Sequence, residues 1–182
     1  CHQWRGKESF AVRTATNRLL CDTAIAPDGC VVVIEDVGAK GMSGTYVHAD
    51  IDPNAQTVQG ALWVHTMSAH ECDIVGRQVR VRVFSGSDTD GLGAPAFDGR
   101  LNISSGVLAI GDRRNPDRQL LIGPPSVIRV SVFVGNDIDA ICFDDSGVSY
   151  PTSGPSEITL LLHGDTWHTY TMRDTATRRG RI

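Results

Sequence analysis

Strand-like segments dominate this chain, either short β-branched runs or apolar positions at every second residue. The clearest run is "VRVRVF" (79–84), where Val79, Val81 and Val83 alternate with Arg80, Arg82 and Phe84. A period of two predicts a β-strand with one buried face. "CVVVIEDV" (30–37), "GTYVHADI" (44–51) and "TVQGALWVHTM" (57–67) predict three earlier strands, with Gly60 as a bulge in the third. "RLNIS" and "SGVLAIG" follow one another over 100–111, and Ser104-Ser105-Gly106 between them predicts a tight turn or bulge, scaffold and not a site. A nucleophilic serine there would need a strand-to-helix turn, whereas another strand follows. "QLLIGPPSVIRVSVFVGND" (119–137) predicts two strands parted by Gly123-Pro124-Pro125, because proline cannot join a central ladder. "AICFDD" (140–145) and "SEITLLLHG" (156–164) complete the set. Helical patterning is confined to "SFAVRTATNRLL" (9–20) and the tail from Asp165. The expectation is an all-β fold: a single antiparallel β-sandwich over 30–164, with an N-terminal extension (1–29), a basic C-terminal tail (165–182) and little helix.

With 182 residues the chain is long enough to bury a core without disulfides or metal. No apolar run reaches the ~18 residues of a membrane span. Five cysteines, Cys1, Cys21, Cys30, Cys72 and Cys142, show no CxxC spacing. They are expected to be reduced thiols of a cytoplasmic protein; a Cys21–Cys30 bridge and a lipid-modified Cys1 are the alternatives. The net charge of −4 conceals an asymmetry. Residues 1–18 set four cations against Glu8, and residues 173–182 set four arginines against Asp174, so the body between them carries −10. An acidic body with basic ends points to a basic protein partner and argues against nucleic acid. The terminal arginines read as a solvated tail.

Four stretches hold candidate chemistry. "GNDIDAICFDD" (135–145) gathers Asp137, Asp139, Asp144 and Asp145 around one short apolar run, a patch able to enter a basic cleft. "HGDTWH" (163–168) places His163, Asp165 and His168 past a strand end, where a metal or acid–base role is the alternative to surface histidines. "HTMSAHEC" (65–72) supplies His65, His70, Glu71 and Cys72; on a strand Glu71 and Cys72 would face opposite ways, on a loop they could meet. "SGSDTDGLG" (85–93) has Asp88 and Asp90 at calcium-like spacing but lacks the further ligands, so a polar hairpin loop is expected.

Residues 97–134 carry a family pattern: "GRLNISSGVLAIGD", a polar loop, then "RQLLIGPPSVIRVSVFV", with "ALWVHTM" and "RQVRVRVFSG" before them. This resembles the small bacterial β-sandwich proteins related to the nuclease inhibitor called competence protein J. Pro124-Pro125-Ser126 stands where that group usually has Pro-Gly-aromatic. The resemblance implies a sandwich fold and brings no catalytic motif. The leading expectation is a non-enzymatic, immunity- or inhibitor-like module that binds a partner through Asp137, Asp139, Asp144 and Asp145, with no cofactor, no metal and no specified oligomeric state. The alternatives are a metal-dependent hydrolase using His163, Asp165 and His168, with His65 or His70 assisting, and a carbohydrate-binding or assembly module using Trp63 and Trp167.

Overall fold

The computed structural model describes residues 16–39, 45–47, 58–113, 116–138, 140–142 and 147–164. In chain order the strands are β1 (Arg18–Ile25), β2 (Val31–Asp36), β3 (Thr45–Val47), β4 (Val58–Gln59), β5 (Ala61–His65), β6 (Val79–Gly86), β7 (Phe97–Ile103), β8 (Val107–Gly111), β9 (Pro116–Leu121), β10 (Ser126–Gly135), β11 (Ala140–Cys142), β12 (Ser149–Pro151) and β13 (Glu157–His163). Helix α1 (Ala69–Val75) lies between β5 and β6, and a 3-10 turn spans Asp28–Cys30. A six-stranded sheet runs β1-β6-β13-β10-β7-β4, a five-stranded sheet runs β3-β5-β2-β8-β9, and β11-β12 form a separate ribbon.

Alternation decides what each sheet buries. Val79, Val81 and Val83 of β6, Ile158, Leu160 and Leu162 of β13, and Ile128, Val130 and Val132 of β10 meet Val32 and Ile34 of β2 and Leu62 and Val64 of β5 in one core. The fold is all-β with little helix, and most pairings are antiparallel. Three are parallel: β13 with β6, β3 with β5, and β4 with β7. Among the described residues no helix is long and apolar enough to cross a membrane.

Four local expectations are corrected. The helical pattern assigned to 9–20 ends in a strand: β1 begins at Arg18, inside the predicted N-terminal extension, and pairs antiparallel with β6. A register shift between Leu19 and Cys21 breaks its alternation, which masks the period in the sequence. The predicted strand 57–67 divides at Gly60, with β4 joining one sheet and β5 the other. The loop 87–96 is no hairpin turn, because β13 and β10 stand between β6 and β7. Finally, "SAHECDIV" is a helix. Ser68 caps it through a reciprocal capping box with Glu71, and Gly76, left-handed at φ 66°, closes it.

Ser104-Ser105-Gly106 forms the expected tight turn, between β7 and β8. Gly106 sits at φ 76°, and a Cβ there would collide with the Gly123 carbonyl, so only glycine lets β7 turn into β8 against the β9–β10 connection. Its serines hold the buried Asp36, which accepts from Ser105 N at 2.8 Å, Ser105 Oγ at 2.5 Å, Gly38 N at 3.0 Å and Ser104 Oγ at 3.3 Å. Burial pushes this carboxyl up, but the four donors outweigh it and leave the pKa below its ordinary value.

Candidate protein interface

The outward positions of the six-stranded sheet carry a row of paired charges. Asp22 on β1 takes both Arg80 Nε at 3.0 Å and Arg80 Nη2 at 2.6 Å. Glu157, at the start of β13, meets Arg82 at 3.3 Å and Arg77 at 3.7 Å. Asp98 on β7 is held by Arg129 of β10 through Nε at 3.1 Å and Nη2 at 2.7 Å. Strand pairing explains the partners: Asp22 lies beside Arg82 and next to Arg80, and Glu157 lies opposite Arg80. A shallow depression of about 580 Å3 opens between these elements, lined by Asp22, Arg77, Arg80, Asp137 and Glu157 among others.

Asp137, the first residue of the expected acidic patch, sits at one rim of this depression. Its carboxylate pairs with Arg77 at 2.5 Å and accepts from the Ser156 hydroxyl. The Ser156 hydrogen bond leads, with Arg77 behind it, in holding its pKa below the usual carboxylate range. Asp139, Asp144 and Asp145 lie outside the described residues. Helix α1 packs on β11 and on the Asp28–Cys30 turn. This packing brings the exposed Asp28 and Asp73 to the end of the sandwich that bears Asp137. Sequence reading missed both, because the segment that forms α1 was read as strand or loop and its contact with the Asp28–Cys30 turn is tertiary.

At the far end of β13, His163 is half-buried on the outer face. The Ser131 hydroxyl donates to Asp98 Oδ1 at 3.2 Å, so His163 Nε2 donates to Ser131 at 2.7 Å. A nitrogen that already carries its proton is not poised to take one from Ser131. Burial lowers the His163 pKa, the Arg129 cation lowers it further, and Asp98 opposes both. Asp165 and His168 lie outside the described residues. His65 is on the other sheet, bonded through Nε2 to the Ser153 carbonyl at 2.6 Å. Ser153 precedes β13 and His163 ends it, so the two histidines are separated by at least the strand's own length, roughly 20 Å. They do not form one site. His70 is exposed on α1. Among the described residues no three His, Cys, Asp or Glu side chains are grouped to hold a metal ion.

Glu71 has a structural part. Its buried carboxylate accepts from Ser68 N at 2.7 Å, Ser68 Oγ at 2.8 Å and Ser153 N at 2.6 Å, and also from the Ser153 hydroxyl. Burial alone would raise its pKa; these donors bring it down to about 2. Cys72 is buried in the core beside it, its thiol pushed up by burial. Helical geometry therefore gives neither residue of this pair a catalytic setting. Cys21, Cys30, Cys72 and Cys142 are free thiols, so Cys21 and Cys30 form no bridge. In the 87–96 loop the Asp88 carboxylate accepts from Asp90 N at 2.9 Å, and Asn17 brackets Asp88 through both its backbone groups. This is a local turn built by hydrogen bonds. Trp63 is half-buried, with the Arg113 guanidinium 4.8 Å from its ring centroid, so one stacking face is occupied. Trp167 lies outside the described residues.

Comparison with known families, characterised proteins and solved structures finds no match to this chain.

Proposed function

We propose that this protein is a non-enzymatic, immunity- or inhibitor-like interaction module. The acidic run that holds Asp137, Asp139, Asp144 and Asp145 docks a basic protein partner. The observation that carries the reading is the packing of α1 against β11 and the Asp28–Cys30 turn, which adds Asp28 and Asp73 to the end where Asp137 sits. Carboxylates drawn from three chain segments onto one rigid end can complement a cationic surface and steer its approach.

The Arg77–Asp137 pair is compatible with this role. Both side chains are 42% exposed. An ion pair this open to water contributes at most about 1 kcal/mol, so a cation from a partner can replace Arg77 at little cost. Neighbouring cations in the depression keep the docking surface selective, because a partner must offer charge where Asp137 stands and avoid Arg77 and Arg80.

The test is capture of a basic protein from a lysate of the source cells, at low and high salt, with the wild type and with Asp137, Asp139, Asp144 and Asp145 each changed to Lys. Retention by the wild type, release by salt and loss in the charge-reversed protein support the reading. Equal retention by both proteins removes this patch from the account.

A further inference from the structure

We infer that the segment Ser149–Pro155 is a latched strap that lifts from the sandwich as a unit, with Glu71 as its latch and Ser156 as its hinge. Three observations lead there. First, among the described residues β12 pairs only with β11, and this ribbon joins neither main sheet. All three β12 residues are exposed, so the strap holds on with almost no apolar burial of its own. Second, its anchors are polar and concentrated beyond β12. Ser153 gives its N–H to Glu71 Oε1 at 2.6 Å and its hydroxyl to the same carboxylate. The Ser153 carbonyl takes His65 Nε2 at 2.6 Å, and the Pro155 carbonyl takes Met67 N at 3.0 Å. Gly154 passes so close to Thr66 that a Cβ would stand 2.8 Å from its carbonyl. Third, Ser156 belongs to the body: it is buried, accepts from Arg80 N at 3.0 Å and donates to Gly135 O at 3.2 Å.

A segment with exposed hydrogen bonds and few apolar contacts opens at a lower free energy than the sheet it rests on. Two of the strap's hydrogen bonds end on the Glu71 carboxylate, so loss of that group loosens the strap where its anchors are concentrated. The strap also reaches the acidic end. Thr152 Oγ1 donates to Ile138 O at 3.3 Å and takes Asn136 Nδ2 at 3.5 Å, and these two residues flank Asp137. Release of the strap therefore removes the Thr152 contacts on either side of Asp137, while Asp137 itself stays bonded to Ser156. The bearing of this on docking rests on the acidic-end reading; the latch does not.

Amide hydrogen exchange on the full chain tests it, with Met67 N–H as reporter because it donates to the Pro155 carbonyl of the strap. In the wild type, Met67 is expected to exchange faster than Leu160 and Leu161 in β13. Ser153→Ala keeps the backbone donor and removes the hydroxyl; it should speed Met67 exchange by about tenfold and leave Leu160 unchanged. Glu71→Gln should speed it further. If Glu71→Gln accelerates Leu160 as well, the Ser153→Ala comparison decides. Met67 exchanging at the Leu160 rate in the wild type, or unmoved by Ser153→Ala, overturns the latch. Partner capture by Ser153→Ala is scored separately: a confirmed latch with unchanged capture keeps the strap and discards its link to docking.

Discussion

Replacing Glu71 by glutamine removes one charge while keeping the shape of the side chain, and the structure sets the size of the effect. The carboxylate is buried and accepts four hydrogen bonds, two from Ser68 and two from Ser153. Its pKa falls from 4.5 to about 2 in the folded protein. Each unit is worth about 1.4 kcal/mol, which makes roughly 3 kcal/mol an upper bound on the ionised form's contribution at neutral pH. Because the folded pKa lies below the unfolded one, that contribution is complete above about pH 5 and drains away as the pH falls towards 2. In Glu71→Gln one carboxamide N–H2 must face donors that it cannot accept from, so most of the contribution goes. The expected loss is about 2–3 kcal/mol at pH 7, or roughly 5–10 °C in Tm for a chain of this size. Urea unfolding of both proteins at several pH values between 7 and 2.5 is the assay. The gap between them should close steadily below pH 5. A gap equally wide at pH 2.5 and pH 7, or below about 0.5 kcal/mol at pH 7, would refute the reasoning.

Gly106→Ala should cost about 2 kcal/mol or more, because it adds left-handed strain to a collision with the Gly123 carbonyl; a urea midpoint near that of the wild type contradicts it. Leu160→Ala, at a fully buried site of the central strand β13, should destabilise by about 2–5 kcal/mol in the same assay. Arg129→Ala removes a cation that holds the His163 pKa down and frees Asp98 to raise it, so the imidazole should titrate at higher pH by NMR; a downward shift would contradict the outer-face arrangement. In the native protein the exposed Cys142 should react with a thiol reagent well before the buried Cys72, which should follow the unfolding rate.

Much of the fold was legible because burial follows a local period. Val79, Val81 and Val83 announce the inner face of β6, and Ser104-Ser105-Gly106 announces the turn from β7 to β8. What escaped depends on distant partners or on a break in the pattern. The register shift at Leu19–Cys21 hid β1. The box formed by Ser68 and Glu71 was present as a helix start signal, but the flanking histidines and methionine carry no clear helical stripe. The parallel pairing of β13 with β6 joins segments about seventy-seven residues apart, beyond any local reading. The candidate site was legible in part. The acidic run marked Asp137, yet its ties to Arg77 and Ser156, and the company of Asp28 and Asp73, come from tertiary packing.

The most direct test of the central claim is the salt-dependent capture comparison between the wild type and the protein with lysine at positions 137, 139, 144 and 145. The account predicts one basic protein held by the wild type at low salt, released at high salt and absent from the charge-reversed protein. The same protein held equally by both, or held by the wild type regardless of salt, would contradict an acidic docking surface.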